Sequence, residues 1–359
     1  MNKAVIASCN FSVGHTTHMV AFYKMFIEMG YNTSFVCNEE YTNFSNVIKK
    51  NRISYWSFFR NNEDGDIFVA VAPSIRVLFK CFFLRLFTKV SVNYILHEPY
   101  SSFSSSLKAG FNFLQVVRIF VISIFNNITC ILSHNVLLPS KKAFDTFNKS
   151  RLKYLRNFQI NLIFYDQASI KFSQQDKKYF SYIGTIAEDH AFEEFIRIVN
   201  NFHKDQSILK DAKFLIATKS KIPKRLQKLV KSCEKRGILD VFSGNVMTNN
   251  EINSYYQQSL VVGSAYKRSM QSGVLPMSYM FGCPVIVMED CIPDSFLNGS
   301  TGLVISSNYC PNEFKVCLDK IISTYSTFSD HSREYYLKNF DYNSMKDIYL
   351  KILNDEQKN

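Results

Sequence analysis

The stretch Ser259–Val304, SLVVGSAYKRSMQSGVLPMSYMFGCPVIVMEDCIPDSFLNGSTGLV, constrains the fold of this chain more than any other part of it. Leu260–Ser264 reads as a buried strand. A polar loop follows, and its Ser272-Gly273 pair leads into a helical segment, Val274–Met280. Gly282 and Pro284 end that helix, and Val285–Val287 returns as a second short buried strand. Such a strand–loop–helix–strand unit can cradle an anion. Glycine lets backbone N–H groups approach closely, and a helix N-terminus carries unpaired donors and partial positive charge. The candidate donors are the backbone of Ser272, Gly273 and Val274, with Ser269, Gln271, Lys267 and Arg268 beside them. The alternative is an ordinary strand-to-helix connection with no ligand.

Taken in order, this stretch resembles the donor-binding segment of GT-B glycosyltransferases, above all family 4 (glycosyl transferases group 1). The residues that carry the resemblance are Gly282-Cys283-Pro284-Val285, Pro293-Asp294 and Asn298-Gly299-Ser300-Thr301-Gly302-Leu303-Val304. The family's usual pair of glutamates, eight positions apart, would fall at Ser269 and Met277, so both carboxylates are missing. Ser269–Val274, SMQSGV, is similar instead to a variant of the family with Ser-Gly-Val in this place. The resemblance implies an α/β fold of GT-B architecture, two Rossmann-like domains facing each other across a cleft. It divides the chain into an acceptor-binding domain over 1–160 and a nucleotide-sugar-binding domain over 161–335. A last helix, 336–359, is expected to cross back to the first domain.

The chain in order supports an α/β reading. A strand at Lys3–Cys9, a loop containing Gly14 and His15, a helix at Met19–Met29 and a strand at Asn32–Cys37 open it. No G-x-G-x-x-G occurs, which disfavours a dinucleotide. Gly14 and His15 either line the ligand crevice or merely connect; the resemblance favours lining. Further strands are expected at 67–72 and 92–97, and His97-Glu98 ends the latter. Side chains at a strand's carboxyl end in an open α/β sheet point into the crevice. The pair is therefore a candidate general base or acceptor-orienting group, or else a structural turn. A long apolar helix is expected over 105–132, a strand over Ile131–Leu138, a link over Arg151–Asp166, and a helix over Tyr335–Leu353.

The second domain is expected to begin with the strand Tyr179–Ile183 and Gly184. The resembled family follows that glycine with Arg, and with Lys five residues on, to grip the donor diphosphate; here the positions hold Thr185 and His190. Neutral histidine donates a hydrogen bond but attracts phosphate less than lysine does. Lys219, just after the strand KFLIAT, completes the donor-binding candidates.

Composition bears on partners. The net charge is +12, and residues 1–160 hold 18 Lys/Arg against 8 Asp/Glu. In Ile75–Val90 the cations Arg76, Lys80, Arg85 and Lys89 recur among large apolar residues, the pattern of an interfacial helix or of a core helix with snorkelling stems. No nucleic-acid motif appears, so an anionic membrane surface is the expected partner of this basic half. The most apolar segment, Ile119–Ser133, is read as too short to span a bilayer. The strand begins directly after Met1-Asn2-Lys3, so no leader is expected. Nine scattered cysteines without CxxC spacing read as reduced thiols of a cytoplasmic protein.

The resemblance implies sugar transfer from a nucleotide-sugar donor to a saccharide acceptor, lipid-linked, in bacterial O-antigen or capsule-type synthesis. It implies retention of stereochemistry, no metal, and no cofactor beyond the donor itself. Peripheral attachment to the inner face of the cytoplasmic membrane is expected. The missing carboxylates leave open a catalytically silent partner protein, and more remotely an epimerase or phosphorylase.

Overall fold

Residues 1–100, 102–108, 110–168, 177–187, 189–202, 213–264, 266, 272–306 and 310–354 are described by a computed structural model. The chain forms two units, Met1–Tyr165 with Asn339–Asn359, and Asp166–Lys338.

The first unit is built on six parallel strands: β1 (Lys3–Ser8), β2 (Asn32–Cys37), β3 (Ile67–Ala70), β4 (Ser91–Ile95), β5 (Asn135–Leu138) and β6 (Asn157–Gln159), in the spatial order β2-β1-β3-β4-β5-β6. Strands such as IFVA and NVLL are buried at every position, as sheets covered on both faces require. Where β4 and β5 carry polar residues, they pair: Asn135 Nδ2 donates to Asn93 Oδ1 at 2.8 Å. The helices are α1 (Val13–Glu28), α2 (Asn46–Asn51), α3 (Tyr55–Arg60), α4 (Ile75–Phe87), α5 (Phe103–Lys108), α6 (Phe113–Leu132) and α7 (Lys141–Asn148). Phe22 and Phe26 of α1 anchor the core on one sheet face together with Phe35 and Tyr41.

The second unit repeats the plan. Its strands β7 (Tyr179–Ile183), β8 (Lys213–Thr218), β9 (Leu239–Ser243), β10 (Ser259–Gly263), β11 (Val285–Met288) and β12 (Gly302–Ile305) lie parallel in the order β12-β11-β10-β7-β8-β9. Helices α8 (Phe192–Asn201), α9 (Gln227–Lys235), α10 (Asn249–Gln257), α11 (Val274–Met280), α12 (Pro311–Ser323) and α13 (Tyr325–Asn339) complete it, and α14 (Tyr342–Asn354) returns to the first unit. There Tyr349 of α14 meets Phe22 edge-on, ring centroids 5.3 Å apart.

Several element boundaries differ from the sequence expectation. The loop before Met19 is already helix, because Thr16 and Thr17 bury their side chains and so sit inside the first turns of α1 rather than in a connection. The helix expected over 105–132 is two helices. Gly110 takes φ +97°, and Asn112 opens α6 with a reciprocal cap to Gln115. The strand expected from Ile131 starts only at Asn135, since α6 runs on to Leu132. Part of the expected link, Asn157–Gln159, is an edge strand paired to β5. The final helix is interrupted where the backbone of Phe340 and Tyr342 bonds to Phe164 instead. The apolar segment read as too short for a bilayer belongs to a helix of 20 residues, long and apolar enough to cross one by length and composition, and 22% of its most apolar window is buried.

Candidate functional site

In the second unit the chain builds β7, β8 and β9 outward in one direction, then returns to lay β10 on the other side of β7. At such a switch point the connections leave the two central strands in opposite directions, opening a crevice outside their carboxyl ends. The residues that follow β7 and β10 meet there. A small depression is lined by Gly184, Thr185, His190, Gly263, Tyr266 and Val274.

Each side of the depression is braced. Gly184 has φ +141°, a conformation L-residues rarely adopt, and this turns the chain sharply at the end of β7. Ser220 Oγ, beyond β8, accepts from Ile186 N at 3.0 Å, and Tyr182 Oη donates to the Thr185 carbonyl at 2.8 Å. His190 Nδ1 hydrogen-bonds to the same carbonyl, its ring stands edge-on to Tyr266 at 4.7 Å, and its Nε2 lies 3.8 Å from Asp189 Oδ1. Tyr266 Oη in turn shares a 2.8 Å hydrogen bond with Ser272 Oγ, which also accepts from Val274 N at 3.1 Å. Burial pushes the Tyr266 hydroxyl up to about 12, so it stays neutral at physiological pH. Gly273 then begins α11 with ordinary helical angles, φ −72° and ψ −15°, and a Cβ added there would meet nothing within 4 Å.

The structure thus brings Gly184, Thr185, His190, Ser272, Gly273 and Val274 to one place. Thr185 is exposed, and His190 acts locally as a brace between Thr185 and Tyr266. Lys219 is exposed just beyond β8, next to Ser220. Lys267, Arg268, Ser269 and Gln271 lie outside the described residues. Tyr266, which ties His190 to the start of α11, was missed by sequence reasoning. Its only signal is an aromatic residue just past the strand LVVG. Tyr266→Phe removes one hydrogen bond from this brace while keeping the ring. A bond of about 1 kcal/mol predicts a roughly fivefold weaker affinity for a nucleotide bound here, read by titration calorimetry.

The first unit has its own switch point, between β1 and β3. Gly14 and His15 occupy the first turn of α1, and His97 follows β4. The His15 and His97 rings stack, centroids 5.8 Å apart, and His18 stands 6.2 Å from His97. His97 Nε2 donates to the Val71 carbonyl at 2.7 Å, since a carbonyl can only accept. Glu98 is exposed. Among the described residues no group of three His, Cys, Asp or Glu could hold a metal ion.

His18, not anticipated from the sequence, is almost fully buried and donates from Nδ1 to the Ile163 carbonyl at 2.7 Å. Burial, with smaller contributions from His97 and His15, lowers its pKa from 6.5 to about 3. The folded state therefore binds fewer protons than the unfolded state between these values. Stability present above pH 6.5 is lost as pH falls toward 3, at up to about 1.4 kcal/mol per pH unit. Melting curves between pH 7.5 and 5 are expected to show this loss, and His18→Phe to flatten its slope.

Residues 177–324 match the family model described as "Glycosyl transferases group 1". No curated protein matches the sequence. Among solved structures, a glycosyltransferase from Rickettsia africae is similar over 100% of this chain and 99% of its own, at 12% identity and TM-score 0.71. HepE from Anabaena, solved in complex with UDP-glucose, is similar over 98% and 99%, at 9% identity and TM-score 0.71. Sucrose-phosphate synthase from Thermosynechococcus elongatus is similar over 99% of both chains, at 11% identity and TM-score 0.66. Two parallel-sheet units with this likeness define the GT-B fold. The match to group 1 glycosyl transferases falls within the chain's second unit.

Proposed function

We propose that the chain transfers a sugar from a nucleotide-sugar donor to a saccharide acceptor carried on a lipid, in O-antigen or capsule-type polysaccharide synthesis. The observation that carries this reading is that the family match contains the whole braced depression at the β7/β10 switch point. The donor diphosphate would lie against the backbone N–H groups of Ser272 and Gly273, where a helix N-terminus offsets its charge. HepE, of the same fold, has been solved with UDP-glucose and with UDP and glucose, which favours a uridine nucleotide as the first to test.

Retention fits a route in which the leaving phosphate takes the acceptor proton, a step that does without the two missing carboxylates. Attachment to the inner face of the cytoplasmic membrane is supported by the basic first unit and by α6, which exposes Phe113, Leu114, Phe120 and Ile124. One observation favours a second reading, a silent nucleotide-binding partner. Thr185 has no charge, and His190 is engaged by its own loop. Release of nucleoside diphosphate from a panel of nucleotide sugars, with and without bacterial lipid extract, tests the choice. Lipid-stimulated release from one donor supports transfer. Binding without release from any donor supports the silent partner.

A further inference from the structure

The first unit holds a cavity of about 400 Å³ at the carboxyl ends of β1 and β2, apart from the histidine cluster. Its walls include Cys9, Cys37, Tyr55 and three cations, Arg52, Arg76 and Lys80, against one carboxylate, Glu39. None of the three cations makes an ion pair with a described residue. They are placed rather than scattered. Arg52 Nε donates to the Cys37 carbonyl at 3.2 Å, and Lys80 Nζ sits 4.4 Å from the centre of the Tyr55 ring, whose hydroxyl donates to the Lys80 carbonyl at 2.9 Å. Arg76 and Lys80 both act on the Cys9 thiol. Arg76 also lies in the first turn of α4, whose N-cap Ser74 bonds Val77 N at 3.1 Å.

Arg76 and Lys80 are one helical turn apart, so they share a face of α4. The adjacent stripe, Ile75, Phe79, Phe82 and Leu86, is apolar and exposed, with Phe79 at 56%. On the far side Val77, Cys81 and Leu84 are buried. A cation-lined cavity that opens beside an apolar stripe on the same helix suits one ligand chemistry, an anionic head with a hydrocarbon tail. Three cations around one cavity suit a phosphate or diphosphate better than a single carboxylate.

We propose that this cavity binds the phosphate or diphosphate head of the lipid that carries the acceptor, with its chain along the exposed face of α4. The proposal rests on the reading of the chain as a transferase with a lipid-borne acceptor. The single tryptophan, Trp56 of α3, packs against Tyr55 and lies 6.0 Å from Phe83 of α4, so its fluorescence reports on this site.

The test titrates the full chain with farnesyl diphosphate, farnesol and inorganic pyrophosphate while following Trp56. The expected result is a saturable blue shift with farnesyl diphosphate, at least about tenfold tighter than with farnesol, and lost in the triple variant Arg52→Gln/Arg76→Gln/Lys80→Gln. Equal affinity for farnesol, or unchanged binding in the variant, would overturn the proposal. Displacement by an equal concentration of pyrophosphate would show a free-anion site and overturn the lipid assignment. Nucleotide affinity of the same preparations separates the two readings. If a nucleotide binds and farnesyl diphosphate does not, the cavity proposal fails alone; if neither binds, the transferase reading fails with it.

Discussion

Gly273→Trp is expected to leave the melting temperature within about 2 °C of wild type while weakening nucleoside diphosphate binding at least ~100-fold. The first half follows from the backbone. Gly273 has φ −72° and ψ −15°, angles open to any residue, and an added Cβ meets open space. Exposed substitutions of this kind usually change stability by less than about 0.5 kcal/mol. The second half follows from position. Glycine here is required by neither backbone strain nor packing, and the proposed donor site would use its smallness for close approach of the ligand. An indole at the start of α11 would occupy the space that the diphosphate needs. Wild-type nucleotide affinity in a folded Gly273→Trp protein would remove the donor site from this place.

Gly302→Ala is expected to have the opposite signature, a large loss of stability. Gly302 opens β12 directly beside Val285 of β11, and a Cβ there would lie 1.9 Å from the Val285 carbonyl oxygen. Backbone within a parallel ladder cannot give way as a flexible side chain can. The cost belongs to the exceptional class, on the order of 4 kcal/mol or more, and predicts a fall in melting temperature of about 10 °C or more. A variant melting within about 3 °C of wild type would show that β11 and β12 are not so closely placed.

These two glycines show where the sequence was legible. Both belong to the stretch that carries the family resemblance, and as residues of a pattern they look alike. Their backbones divide them: one is exposed at a helix start, the other pressed against a neighbouring strand. Thr301, beside Gly302, is likewise architectural, its Oγ1 bonded to Tyr279 Oη at 2.8 Å and accepting from Leu297 N at 3.0 Å. The parallel sheets were legible because strands such as YFSYI and VIVM are buried on both faces and read as short apolar runs with a glycine close to one end. The helix starts were less so. Thr16 and Thr17 favour turns by propensity, and only burial against the sheet holds them in α1. Tyr266 and His18 were invisible because their roles depend on Ser272 and on Ile163, the latter 145 residues away.

The central claim is that a nucleoside diphosphate binds outside the carboxyl ends of β7 and β10. Titration calorimetry of wild type and Gly273→Trp, against UDP, GDP, ADP, dTDP and CDP, tests it most directly. Saturable binding of one of these to wild type, lost in the folded variant, is the predicted result. Equal binding to both proteins, or no binding of any nucleotide to folded wild type, would contradict it.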